Sequence, residues 1–145
     1  MTDQRGELMR LEGVWTGVER VHDTTKPYEA NARLVFQTVF DGRFLLCDYS
    51  QTAIDRPMSV GHGVFHRDET SQKLMVTWFR LPSATLTQQA EGVADGDRLE
   101  FTETIDGRVT RTTYTCSMDK LSIRTEQAVE NGEWVIILDG TYRRR

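Results

Sequence analysis

His62 and His66 stand four residues apart, a spacing that on a helix would bring both imidazoles to one face and to one metal ion. Gly61, Gly63, Val64 and Phe65 make the segment a strand instead, and at ~3.3 Å per residue the rings fall ~13 Å apart. They cannot share an ion, but His62, between two glycines, could face a barrel lumen and offer one ring nitrogen there. Glu19, Glu103 and Asp139 could act as acid or base if they faced inward beside Tyr114 or Arg111. Tyr49, Trp78, Arg80, Gln89, Arg111, Tyr114, Arg124 and Tyr142 lie in strand interiors, where one of two faces must point inward, and are the candidate pocket residues. An arginine turned into a small barrel must be paired, and a bound carboxylate is one partner. For Arg111 and Arg124 the alternative is an exposed charge on the outer face, and the parity of their strands does not follow from sequence.

Catalytic signatures are absent. The chain has no Gly-x-Ser-x-Gly elbow, no phosphate loop ending Gly-Lys-Ser/Thr and no His-Glu-x-x-His. Gly61-His62-Gly63 lacks a third glycine and precedes no helix, so it carries no dinucleotide message. No catalytic residue is assigned. Cys47 and Cys116, without a Cys-x-x-Cys pair, form neither a disulfide framework nor a zinc site and read as buried thiols.

The elements that must position these groups are strands. The 145 residues suffice for one domain, 1–145, and 18 basic against 22 acidic residues give a net charge of −4, which provides no global positive field for a nucleic acid. The longest apolar run, Trp134-Val135-Ile136-Ile137-Leu138, is far shorter than a membrane span, and the first ten residues contain no signal-peptide core, so a cytoplasmic protein is expected. Glu7 to Leu11 suits one or two helical turns, stopped at Gly13. From Val14 onward, short runs rich in Val, Thr, Ile and aromatics alternate with turn chemistry. Asp41-Gly42, Asp95-Gly96, Asp106-Gly107 and Asn131-Gly132 mark four hairpins. Ten strands are predicted near 14–22, 28–40, 43–52, 59–66, 73–80, 84–93, 98–104, 108–116, 120–129 and 133–143. Such a meander closes on itself to avoid exposed edges, so the predicted fold is all-β, an antiparallel up-and-down barrel with a short N-terminal helix.

Gly13-Val14-Trp15-Thr16-Gly17 after a short helix resembles the Gly-x-Trp opening of lipocalin-like barrels. Together with Phe40-Asp41-Gly42-Arg43-Phe44-Leu45 and the Tyr142-Arg143-Arg144 ending, the chain looks like a bacterial lipocalin-like, calycin-type family catalogued as a domain of unknown function. That resemblance implies a helical plug at one barrel end, with Trp15 inside it and a basic residue of the last strand, Arg143, against its ring. Trp15 also counts among the candidate ligand contacts. Nitrobindins, which also begin Gly-x-Trp-x-Gly, resemble the chain more distantly and imply haem with His62 as its axial ligand; no other cofactor and no metal is expected. Fatty-acid-binding barrels use an Arg-x-Tyr pair in the last strand for a carboxylate, where this chain has Thr141-Tyr142-Arg143.

The expected function is binding of a small apolar or amphipathic ligand, with or without an acidic group, in the lumen. The alternatives are a small-barrel lyase or isomerase using an inward carboxylate with Tyr and Arg, and a haem protein through His62. Neither a nucleic acid nor a membrane is expected as partner. A homodimer is, because alternation fails at Val35-Phe36, Phe44-Leu45-Leu46 and 134–138, where apolar residues would fill both strand faces.

Overall fold

Strands rich in β-branched and aromatic residues, joined largely by tight turns, wind into one closed barrel. The computed structural model describes residues 6–22, 25–81, 89–105 and 107–145. One helical turn, α1 (Gly6–Met9), precedes β1 (Gly13–Val21), β2 (Tyr28–Val39), β3 (Phe44–Thr52), β4 (Ser59–Arg67), β5 (Leu74–Leu81), β6 (Gln89–Asp95), β7 (Arg98–Ile105), β8 (Arg108–Cys116), β9 (Lys120–Ala128) and β10 (Trp134–Arg144). Each strand pairs antiparallel with its sequence neighbours, and β1 pairs with β10, so the sheet has no edge. The all-β barrel expected from the turn spacing is present. Residues 84–88, expected to begin the sixth strand, lie outside the described residues, as does Asp106 of one expected hairpin. At the β2–β3 turn, Phe40, Asp41 and Gly42 all take positive φ, which Asp and Gly tolerate readily and Phe40 adopts against its preference.

The barrel has one filled end. Leu8 and Leu11 pack with Trp15, Phe36, Leu45, Phe65, Leu74 and Leu121, all buried. The Trp15 indole N–H donates to the Leu11 carbonyl at 2.9 Å, which ties the plug to the first strand. The cation against Trp15 is Arg144, whose Cζ lies 4.2 Å from the ring centroid, and not Arg143. Strand parity decides between them: Tyr142 is buried on the inner face, so Arg144 shares that face and Arg143 points out, 3.8 Å from Asp119. The Arg144 guanidinium also donates to the carbonyls of Arg10 and Glu12, just beyond α1, and to that of Met118 between β8 and β9.

Between Ile136 and Leu138 the β10 register slips against β9, a bulge at Ile137. The apolar run at 134–138 therefore does not simply fill two faces, because Ile137 and Leu138 both line the lumen. Cys47 and Cys116 are buried and free. Among the described residues, no helix is long and apolar enough to cross a membrane.

Candidate ligand cavity

β1 begins at the plugged end, and counting by twos from buried Trp15 puts Gly17, Glu19 and Val21 on the inner face. Glu19 thus enters the lumen midway along the barrel, where a cavity of about 590 Å³ extends on the side away from α1. Its walls include Leu34, Trp78, Tyr114, Ile123, Ile137 and Leu138, and Arg80, Glu103 and Arg108 also line it, from strand ends remote from the plug.

Glu19 is the floor, only 1% exposed. Its Oε1 accepts from the Tyr49 hydroxyl at 2.5 Å and from Gln51 Nε2 at 2.7 Å, and its Oε2 accepts from the Tyr142 hydroxyl. Gln51 Nε2 also donates to the Tyr49 oxygen at 3.0 Å. Gly140 pairs with Glu19 across the β1–β10 seam, and a Cβ there would collide with the Tyr142 hydroxyl, so its bare backbone is what admits the phenol. Burial, then the Glu19 charge and hydrogen bond, push the Tyr49 and Tyr142 phenols far above the usual tyrosine range. Burial likewise raises Tyr114. Glu103 is raised by burial, with Arg80 opposing.

Of the candidate pocket residues, Tyr49, Trp78, Arg80 and Tyr114 line this one cavity, and Tyr142 completes its floor. Trp15 lies deeper, in the plug. Arg111 and Arg124 do not enter: on β8, buried Thr110 and Tyr114 fix the inner face and leave Arg111 outside, 3.1 Å from Glu126 and stacked 3.9 Å over Trp134. Arg124 lies with it along an outer groove that also takes in Asp139. Gln89 is exposed, and Asp139 bonds to His22.

His62 also faces out. Its Nδ1 lies 2.8 Å from Asp48, and its ring neighbours Phe79. The flanking glycines serve Trp78 instead: a Cβ at Gly63 would sit 3.0 Å from the indole, and one at Gly61 3.5 Å. A haem in the lumen would therefore find no ligand in His62, and the residues present do not fit that reading. Gln51 and Gly140 were not apparent from sequence, and Glu19 only as one of three conditional carboxylates; the alternation from Trp15 is the signal that singles it out.

No protein-family model matches the chain, and no curated protein matches it in sequence. Among solved structures, it is similar to Rv2717c from M. tuberculosis at 18% identity and a TM-score of 0.73, covering 100% of this chain and 99% of that one. The S-type phycobiliprotein lyase CPES from Guillardia theta is similar at 11% identity and a TM-score of 0.65, with 100% and 98% covered. A redesigned β-barrel follows at 16% and 0.52, with 96% and 95% covered. At these identities the likeness is one of fold alone.

Proposed function

We propose that the chain binds a small amphipathic molecule inside the barrel. The observation that carries this is the lumen itself: a cavity of about 590 Å³ with aromatic and aliphatic walls and a few convergent polar groups, on the side of the barrel away from its plugged end. The free cysteines fit a reducing compartment such as the cytoplasm. The neutral fluorophore N-phenyl-1-naphthylamine is expected to bind the folded protein at near-unit stoichiometry with tryptophan quenching. Trp78→Ala is expected to weaken it ~10-fold, the ~1.4 kcal/mol of a lost aromatic wall. Titration with no saturable signal would refute the cavity as a binding site.

A lyase or isomerase is the second reading, favoured by the meeting of Glu19 with two tyrosines and by a fold shared with a lyase. It is supported less well, since both Glu19 oxygens are already engaged and the phenol protons are committed to them. We also propose a homodimer through the outer face of β4 and β5, where Val60 (37% exposed), Phe79 (49%) and Leu81 (57%) adjoin in register. Sedimentation equilibrium at micromolar concentration is expected to return twice the chain mass; a monomer would overturn the assignment.

A further inference from the structure

The phenol donors at the cavity floor are already spent. The Tyr49 and Tyr142 hydroxyls each have one proton, and both point to Glu19. Gln51 Nε2 serves Glu19 Oε1 and the Tyr49 oxygen, and its side chain is not part of the cavity lining. What the floor still offers is acceptor capacity. A carboxylate accepts at about four positions and Glu19 uses three, while the Tyr142 oxygen accepts from none of the described groups. Among the described residues no cation pairs with Glu19, although it is almost fully buried; its neutral donors lessen the desolvation cost without cancelling the charge. Arg80 and Arg108 belong to strand ends remote from the plug, with Glu103 beside Arg80 in the same lining.

Building on the cavity reading above, we propose that the floor selects an organic cation: a protonated amine on a small aromatic or alicyclic body, its N–H group on Glu19 and its body between Trp78 and Tyr114. The ligand supplies the missing positive charge and the missing donors together. An acidic or acceptor-only group driven to the same depth would meet a carboxylate and phenol oxygens whose protons are already given to it. The rings of Tyr49 and Tyr114 also line the cavity, and an aromatic ring attracts a cation placed over its face, as Arg80 lies over Trp78 at 4.9 Å.

Three isosteric probes test this by calorimetry at pH 7: 1-naphthylmethylammonium, 1-naphthylmethanol and 1-naphthoate. The expected ranking places the ammonium at least ~10-fold tighter than the alcohol, with the carboxylate weakest. Glu19→Gln is expected to bring ammonium and alcohol within ~2-fold while the alcohol still binds, and Glu103→Gln to preserve the ranking. Equal or tighter binding of the alcohol or carboxylate to the unaltered protein would overturn the cation assignment while leaving the cavity reading intact, and needs no variant to fold. A preference that survives Glu19→Gln, or disappears in Glu103→Gln, would overturn the role of Glu19. Binding of none of the three would refute both readings.

Discussion

Above about pH 10 the barrel is expected to lose ~5 kcal/mol of stability per pH unit, ~4 of it from tyrosines, and to unfold in one cooperative step. Tyr49, Tyr114 and Tyr142 hold their protons in the folded chain far beyond the 10.0 of a free phenol, because burial disfavours the phenolate and, for Tyr49 and Tyr142, the Glu19 charge adds to it. Their folded pKa values are raised, so their contribution is complete below the unfolded value and falls as pH rises past it. The unfolded chain gains ~1.4 kcal/mol per group and pH unit by releasing protons that the folded chain keeps. Cys47, raised by burial from 9.0, adds a fourth group whose loss begins a unit lower. Far-ultraviolet circular dichroism followed alongside tyrosinate absorbance should show three of the four tyrosines ionising only as the sheet signal collapses. Tyr142→Phe should remove about a third of the tyrosine slope. Tyrosinate appearing at these positions with the sheet intact would contradict their burial.

Trp15→Ala is expected to cost ~3–5 kcal/mol and to lower the melting midpoint by about 10 °C or more. The indole is fully buried in the plug, donates to the Leu11 carbonyl and carries the Arg144 guanidinium on its face. Alanine leaves a void among Leu8, Leu11 and Phe36, strands the Leu11 acceptor and removes the surface that holds Arg144. Trp15→Phe retains most of the packing and should recover more than half of the loss. Denaturant melts would refute the sealing role if the alanine variant lost less than ~1 kcal/mol.

Strand number and turn position were legible because Asp-Gly and Asn-Gly turns punctuate residues that alternate in burial. The inward face was legible only where a strand contains a fixed point. Trp15 supplies one for β1, and period two then leads to Glu19. β8 supplies none, since Thr110, Thr112, Thr113 and Thr115 occupy both faces and give no contrast by which to place Arg111 outside. On β10 the bulge at Ile137 interrupts the count along the apolar run, and the choice between Arg143 and Arg144 rests on a one-residue parity. Gln51 was beyond reach for another reason. Its partner Glu19 lies 32 residues away in sequence, and the two meet only across the strands of the closed sheet.

The β1–β10 seam also governs how the molecule comes to exist. Thr16 meets Arg143 and Val21 meets Leu138 across it, pairings whose loops span nearly the whole chain. Closing such a loop costs chain entropy before any contact across the seam compensates, so contact order is high and folding is expected to be slow. Until the seam forms, β1 and β10 remain open edges with unpaired backbone groups, the geometry that invites pairing between chains. Gly17 sharpens the constraint, because a Cβ there would run into the Thr141 carbonyl: the two strands meet closely at that point, and bulk on either side obstructs the final docking. A crowded cell would thus bear on this protein chiefly during the interval between collapse and closure.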